Sequence, residues 1–286
     1  MAPRKEAGHE ETLQTRIGLS DAVARLQKEL LLSWKTLTPV DVPLLASVLP
    51  NAHHLTVLDL RHNKLGDQGV QKLSDAMRSS QSLRTLYLTR NGITDRGAAS
   101  LATFLKDARV SGQLATLDLS LNAIRDDKAL GDALTTNTGL TALDVSSNAL
   151  RSGRAIAAAL GHNRTLTHGH LLFNRLDVGS AAALAEALRK SRAAGVPLTL
   201  CGTPAEAEAI QLSRRGMRSS DAMLLAAELE SAPTVRSVDL SYNMLGPEAA
   251  GALAAALMAS SSLTTLNLDL PKRILARFVD LADYDG

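Results

Sequence analysis

Apolar and polar residues alternate in a nine-residue phrase that returns six times along the chain and ends each time in asparagine. It reads LTVLDLRHN at 55–63, LRTLYLTRN at 83–91, LATLDLSLN at 114–122, LTALDVSSN at 140–148, LTHGHLLFN at 166–174 and VRSVDLSYN at 235–243. The first, fourth and sixth positions are apolar in nearly every copy. Because successive side chains of a strand point to opposite faces, the phrase predicts a short strand with one buried and one exposed face.

A second pattern with helical spacing follows each phrase. Leu73 and Met77 stand ten and fourteen residues after Asn63, and later units carry similar pairs. Residues four apart share one face of a helix, so each pair predicts an apolar stripe that docks on the strands. The later pairs are Leu101 and Leu105, Leu130 and Leu134, Ile156 and Leu160, Leu184 and Leu188, and Leu253 and Leu257.

The same spacing reveals two units in which the asparagine is replaced, by Lys35 and by Arg215. Units then begin at Gln27, Leu55, Leu83, Leu114, Leu140, Leu166, Ala207, Val235 and Leu263. Strand and helix alternating through right-handed crossovers predict an α/β solenoid of about nine units. Helices need more room than strands, so the stack should curve, with parallel strands on the concave face and helices on the convex face.

The solenoid is predicted to be a single domain over 19–286, since each unit packs only on its neighbours. Residues 1–18 are polar and without pattern, which predicts a disordered tail. The sixth interval is 41 residues long and places an irregular insertion at 195–206, in which 198–201 could form a strand without a helix. Pro271 and the apolar spacing after it predict a capping helix over 271–284.

Two repeats carry a family resemblance. LDLRHNKLGDQGVQKLSDAM at 58–77 and VDLSYNMLGPEAAGALAAAL at 238–257 resemble the ribonuclease-inhibitor-like class of leucine-rich repeats. This class implies the α/β solenoid fold and is mostly intracellular. It includes a ribonuclease inhibitor, a Ran GTPase-activating protein and the sensor ends of NOD-like receptors, so the resemblance leaves the function open.

The asparagine that ends each phrase should turn inward, where its amide can satisfy backbone groups in the bend between units. We predict a structural ladder formed by Asn63, Asn91, Asn122, Asn148, Asn174 and Asn243. A charged Arg215 cannot be buried there without a partner. We therefore expect Arg215 to turn outward and interrupt the ladder.

Composition and charge narrow the class of function. Lys and Arg number 31 and Asp and Glu 29, so the net charge of +2 gives no electrostatic reason to expect nucleic acid or an anionic membrane. Cys201 is the only cysteine, so no internal disulfide can form. Together with a charged N-terminal segment that lacks an apolar signal core, this predicts a cytoplasmic location.

Catalytic and cofactor motifs are missing from the sequence. It contains no GxxxxGK[ST], GxSxG or HExxH motif and no pair of cysteines. Carboxylates on an open sheet also lack a desolvated pocket that would shift their pKa values. The chain is therefore predicted not to be an enzyme and to use no cofactor. His168, His170 and Asp144 come nearest to a metal-ligand set, and they fall short of one.

The predicted partner-binding surface consists of strand positions expected to be exposed. Its members are Asp59, Tyr87, Asp118, Asp144, His170, Phe173, Asp239 and Tyr242. The aspartates could receive basic side chains of a partner, or Asp could simply be common in this phrase. The aromatic residues, with Trp34, are favoured interface anchors, unless the position before the asparagine is partly buried at the sheet edge.

These observations predict a monomeric, non-catalytic scaffold or regulator that binds a protein with its concave sheet. One alternative is a GTPase-activating protein resembling the Ran activator, and another is a sensor fragment of a NOD-like receptor. Ran-type activators carry a strongly acidic tail beyond the repeats, of which this chain has only Asp280, Asp283 and Asp285.

Overall fold

The repeated phrase folds as a very short strand followed by a tight turn. The computed structural model describes residues 27–109, 112–204 and 206–268. Each strand is three residues long and covers positions three to five of the phrase. The strands are β1 (Glu29–Leu31), β2 (Val57–Asp59), β3 (Thr85–Tyr87), β4 (Thr116–Asp118), β5 (Ala142–Asp144), β6 (His168–His170), β7 (Ala209–Gln211), β8 (Ser237–Asp239) and β9 (Thr265–Asn267).

Neighbouring strands are parallel and pair in register, so equivalent positions of successive units stand side by side. Strands β1 to β6 form one sheet of six strands, and β7 to β9 form a second sheet of three. The two units in which Lys35 and Arg215 replace the asparagine contribute β1 and β7, which confirms that both are genuine repeats.

Helices lead the chain from each strand to the next. They are α1 (Val42–Val48), α2 (Gly66–Met77), α3 (Asp95–Lys106), α4 (Lys128–Leu134), α5 (Arg154–Leu160), α6 (Val178–Ala193), α7 (Ser219–Leu229) and α8 (Pro247–Ala259). A turn of 3₁₀ helix, Leu49–Asn51, follows α1. Each helix packs against the next from α1 to α8, including α6 against α7. The helical layer therefore continues past the point where the sheet is interrupted.

The hydrophobic core lies between the strand layer and the helix layer. Leu58 and Leu86 from the strands are fully buried, as are Leu73 and Leu101 from the predicted helix stripes. Leu257 is an exception to the predicted stripes. It is 40% exposed, and Ala256 is buried in its place.

The insertion between the sixth and seventh units extends the first sheet. Thr199 and Cys201 form isolated bridges with His168 and His170 of β6. The segment 198–201 therefore lies beside β6 but is not the regular strand that the sequence suggested. The bridge to Cys201 is antiparallel. The chain then leaves the sheet, so β7 begins a new sheet instead of pairing with β6.

Gly169 makes room for the insertion. It stands where the other strands of the first sheet carry a buried leucine, such as Leu143. A Cβ at this position would lie 2.8 Å from Leu200 Cδ2 and 3.0 Å from the Thr199 carbonyl oxygen. Leu200 is itself fully buried. Leu200 of the insertion therefore fills the core position that a leucine occupies in the other strands.

Strands in one layer and helices in the other confirm the predicted α/β leucine-rich repeat solenoid, with the parallel strands lining its concave face. The disordered tail predicted over 1–18 and the capping helix predicted over 271–284 lie outside the described residues.

Candidate functional site on the concave face

A column of polar side chains crosses the first sheet at the fifth position of the phrase. From β2 to β6 its members are Asp59, Tyr87, Asp118, Asp144 and His170, each in register with the next. Asp118 and Asp144 each accept a hydrogen bond at Oδ1 from the backbone N–H two residues later, both at 2.8 Å. The aspartates therefore stabilise the turn after the strand, which gives a structural reason for their frequency in the phrase.

Asp59 belongs to this column but is not available to a partner. Its side chain is 3% exposed. Arg61 Nε and one terminal nitrogen donate to its two carboxylate oxygens at 2.9 and 2.6 Å. Burial raises the pKa of Asp59, but the hydrogen bonds from Arg61 outweigh burial and hold the pKa below its ordinary value. The expectation of an exposed contact at Asp59 is therefore wrong, because this charge is already paired within the fold.

Asp118, Asp144, His170 and Tyr87 line a hollow of about 360 Å³ on the concave face. The insertion also contributes lining residues, which are Thr199, Gly202, Thr203 and Pro204. Gly202 has a φ of +67°, and a Cβ there would lie 2.9 Å from the His170 ring. The insertion therefore lies directly against His170. We call this site the concave hollow.

The concave hollow is acidic. Its lining includes two carboxylates, Asp118 and Asp144, and two histidines, His168 and His170. No Lys or Arg is among the described lining residues. Asp144 Oδ2 lies 3.2 Å from His170 Nδ1, and Asp118 Oδ2 accepts a hydrogen bond from Thr89 Oγ1 at 2.6 Å. Burial raises the pKa of Asp144, but His170 and Ser146 outweigh burial and lower it overall. Asp144 is therefore ionised at neutral pH.

Asp239 is the last residue of β8 in the second sheet, which does not pair with the first, and Tyr242 lies in the turn after β8. Ser241 N donates to Asp239 Oδ1 at 2.9 Å, and this hydrogen bond lowers the pKa of Asp239. The Tyr242 ring is covered by the Arg214 guanidinium, 4.5 Å from the ring centre. These two predicted contact residues therefore form a separate patch and do not line the concave hollow.

Three of the four aromatic residues predicted at exposed strand positions lie instead in the turn after the strand. Trp34, Phe173 and Tyr242 have positive φ values of 61°, 61° and 56°, and the same position is left-handed in each unit where it is described. Phe173 is half-buried and packs against the core. Trp34 is 69% exposed and stacks on His62, with 3.8 Å between ring centres. Only Tyr87 is a strand residue.

The asparagines that end the phrase connect each unit to the one before it. Asn63 Oδ1 accepts a hydrogen bond from Leu37 N, and Asn63 Nδ2 donates to the Leu32 carbonyl, both at 2.9 Å. The same pair of contacts recurs at Asn91, Asn122, Asn148, Asn174 and Asn243. These side chains therefore form a hydrogen-bonded ladder between neighbouring units of the fold.

Arg215 occupies the asparagine position of the seventh unit and is exposed, so the ladder is interrupted there. Asp221 of α7, which is 1% exposed, bridges the interruption. It accepts hydrogen bonds from Phe173 N at 2.7 Å and from Arg218 N at 2.9 Å. In a continuous part of the sheet the equivalent N–H, that of Ser147, donates to a carbonyl of the next unit. Burial raises the pKa of Asp221, although both N–H groups act in the opposite direction.

Glu228 lies two turns further along α7 and accepts backbone hydrogen bonds from the insertion in the same way. It is 3% exposed, and its Oε2 accepts hydrogen bonds from Leu200 N and Cys201 N, both at 2.9 Å. Burial, followed by the charge of Glu228, raises the pKa of the buried Cys201 thiol.

Sequence reasoning missed both carboxylates of α7, because acidic residues on a repeat helix usually face solvent. A signal was nevertheless present in the spacing. Asp221 and Glu228 stand four residues before and three residues after the buried Leu225, which places all three on one helix face.

Within 27–268, apart from the undescribed positions, no three His, Cys, Asp or Glu side chains come together in a way that could hold a metal ion. His168 Nδ1 instead lies 2.8 Å from Thr167 Oγ1. Of the helices in the described part of the chain, none has both the length and the apolar character needed to cross a bilayer.

Comparisons with known proteins agree with this geometry. Residues 51–74, 79–102 and 231–254 match the Leucine Rich repeat family. The ribonuclease inhibitor of Mus musculus is 38% identical over 90 residues, or 31% of this chain and 19% of that protein. The ribonuclease inhibitor of Sus scrofa is 39% identical over 84 residues, or 29% of this chain and 18% of that protein.

A third relative, the NACHT, LRR and PYD domains-containing protein 3 of Rattus norvegicus, is 37% identical over 111 residues. This match covers 38% of the chain and 10% of the relative, so the chain spans less than a fifth of the length of any of the three. The fold and the repeated phrase define a leucine-rich repeat protein. The matches support the predicted resemblance to the ribonuclease-inhibitor-like class of leucine-rich repeats.

Proposed function

We propose that this protein is a non-catalytic scaffold or regulator that holds a protein partner against its concave face, and that the concave hollow receives a basic side chain of that partner. The observation that carries the proposal is the hollow itself. It brings Asp118 and Asp144 together on adjacent strands without a lysine or arginine among its described lining residues.

The geometry of the concave hollow suits a lysine or arginine side chain. Asp118 and Asp144 each use Oδ1 for the turn that follows the strand. A carboxylate oxygen accepts more than one hydrogen bond, so Oδ2 can receive a donor from outside in addition to Thr89 or His170. Hydrogen bonds between a cationic nitrogen and a carboxylate are charge-assisted and stronger than neutral ones. Tyr87 adds an aromatic wall of the kind favoured in interfaces.

The relatives support a binding role. Two of them are named ribonuclease inhibitors, which describes a protein that acts on another protein. We also propose that the protein works in the cytoplasm, a reducing compartment in which the free, buried thiol of Cys201 is expected to stay reduced.

The test compares neutral, isosteric variants on the two faces of the molecule. The full chain captures its partner from native cells, mass spectrometry identifies the partner, and affinity is then measured with purified proteins. We expect the double variant Asp118→Asn with Asp144→Asn to weaken binding at least tenfold, because a buried charge-assisted contact is worth about 1.5–3 kcal/mol.

The matched control is Asp75→Asn with Asp132→Asn, which removes two exposed carboxylates from α2 and α4. This control should bind as the native chain does. Normal binding by the concave variant together with lost binding by the helix variant would show that the partner uses the convex face.

A further inference from the structure

A second hollow lies at the edge of the solenoid where the strands end and the turns lead to the helices. It has a volume of about 330 Å³ and is lined by residues of the turns that follow β4, β5 and β6. Arg125, Arg151 and Arg175 line it, one from each of three successive units, and all three are exposed to solvent. It shares no lining residue with the concave hollow. We call it the arginine hollow.

Hydrogen bonds between the turns place these arginines on neighbouring rows. Arg151 N donates to the Arg125 carbonyl at 3.2 Å, and backbones joined in this way lie about 5 Å apart. Ala123 and Ala149 line the same hollow and stand directly after the asparagine of their units, the position that Arg175 holds in the third unit. Because an alanine side chain is a single methyl group, it leaves the space between the arginines open.

The carboxylates beside these turns are engaged by other groups. Asp95 Oδ1 accepts two backbone N–H groups, at 2.7 and 3.0 Å, and Asp126 Oδ1 accepts one at 2.9 Å. Asp127 is buried and accepts two N–H groups of α5. Asp177 Oδ1 accepts an N–H at 2.6 Å and lies 3.7 Å from Arg154.

The arginines of the hollow are consequently left without a direct counter-charge. Among the described residues, no carboxylate forms an ion pair with Arg125, Arg151 or Arg175. Three positive charges from three units therefore surround one open space.

We propose that the arginine hollow binds an anion that carries two or more phosphate groups. A guanidinium can donate two parallel hydrogen bonds to phosphate oxygens, and clusters of arginine recognise phosphorylated groups in many proteins. Arginines on rows about 5 Å apart can contact neighbouring phosphate groups at the same time. The proposal uses none of the residues of the concave hollow, so it stands whether or not the proposed function does.

The phosphate groups can come from two sources with the same recognition chemistry, a free anion or a phosphorylated segment of a protein. Isothermal titration calorimetry at low salt measures binding of pyrophosphate, of inorganic phosphate, and of a short peptide with two adjacent phosphoserines to the full chain. We expect pyrophosphate to bind at least tenfold more tightly than inorganic phosphate, because it contacts arginines of more than one row. Tighter binding of the phosphopeptide than of pyrophosphate would assign the site to a protein segment, and the reverse order would assign it to a free anion.

Two double variants separate the arginine hollow from the general charge of the protein. Arg125→Gln with Arg151→Gln should weaken pyrophosphate and the phosphopeptide at least tenfold. The matched control is Lys106→Gln with Arg236→Gln, which removes two exposed positive charges outside the hollow and should leave both affinities unchanged. Because all four positions are exposed, neither variant should alter folding, and thermal melting checks this.

Three results would overturn the proposal. Neither pyrophosphate nor the phosphopeptide binds the native chain, pyrophosphate binds no more tightly than inorganic phosphate, or the two double variants lose affinity equally. NMR signals of the arginine Nε–H groups give a second measurement on the native chain. Those of Arg125, Arg151 and Arg175 should shift when pyrophosphate is added, and shifts confined to other arginines would also refute the assignment.

Discussion

At the scale of single residues, Gly169 and Leu200 show how one unit of the repeat was altered without opening the core. Strand β6 carries Gly169 at the position where other strands carry a buried leucine. Leu200 of the insertion fills the space beside it. The two changes depend on each other, because a side chain at 169 and Leu200 cannot occupy the same space.

This dependence predicts the effect of Gly169→Ala. The new Cβ would meet Leu200 Cδ2 at 2.8 Å and the backbone of Thr199 at 3.0 Å. Overpacking of this kind lowers the free energy of unfolding by about 1–3 kcal/mol, and urea denaturation measures it. Gly251→Ala is the control, since its Cβ meets nothing within 4 Å in the exposed face of α8. The control should be stabilised by about 0.5–1 kcal/mol. Equal stability of the two variants would contradict the account of Gly169.

Asp221 and Asp144 should give opposite dependences of stability on pH. The pKa of Asp221 is raised in the folded protein, so its contribution to stability is present below the unfolded pKa and is lost as pH rises through the folded pKa. The pKa of Asp144 is lowered, so its contribution is present above the unfolded pKa and is lost as pH falls through the folded pKa.

Replacement of each aspartate by asparagine removes its titration. As pH falls from about 7 towards about 4, the native chain should gain stability relative to Asp221→Asn. Below about pH 4, it should lose stability relative to Asp144→Asn. Urea denaturation across this range measures both differences. Slopes of the same sign for the two variants would contradict the assignment.

At the scale of elements, α7 accepts backbone hydrogen bonds that a neighbouring strand would otherwise accept. Its Asp221 and Glu228 accept three backbone N–H groups at the interrupted edge of the first sheet, from Phe173, Leu200 and Cys201. Helix side chains thus satisfy groups that a neighbouring strand satisfies elsewhere in the solenoid.

Asp221→Ala should therefore be far more destabilising than a surface substitution. It leaves Phe173 N without its acceptor and removes the hydrogen bond to Arg218 N at the start of α7. A buried group left unpaired costs about 1–3 kcal/mol, so we expect a loss of about 2–4 kcal/mol when the cap is included. Glu208→Ala, an exposed carboxylate of the same unit, should change stability by less than about 0.5 kcal/mol. Thermal and urea unfolding of the two variants provide the comparison.

At the scale of the whole molecule, the interruption divides the strand layer while the helices remain in contact from α6 to α7. Stability in a solenoid depends on contacts between neighbouring units. The junction at 195–206 has lost strand pairing on one side and keeps helix packing, so we expect it to be the weakest point in the stack.

Amide hydrogen exchange should therefore be faster at 195–206 than in β3 and β4, whose strands pair on both sides. Asp221→Ala should increase exchange further at the junction and leave β3 unchanged. Equally slow exchange in the junction and in the central strands would refute this expectation.

The repeating architecture follows directly from the pattern of amino acids. Leucines spaced for strands and helices specify one unit at a time, and units of similar length stack in register. For this reason the two units with Lys35 and Arg215 in place of the asparagine can still be recognised from the sequence. The asparagines are likewise predictable, since a buried amide at a bend has few roles other than satisfying the backbone.

Which polar residues are available to other molecules depends on how neighbouring units pack. Asp59 and Asp118 occupy the same position of the phrase, yet Asp59 is buried and hydrogen-bonded by Arg61, whereas Asp118 lines the concave hollow. The half-burial of Phe173 and the partners of Asp221 and Glu228 depend on contacts between residues far apart in the chain. A local pattern specifies which face a side chain belongs to, but the groups that meet there are set by the packing of neighbouring units.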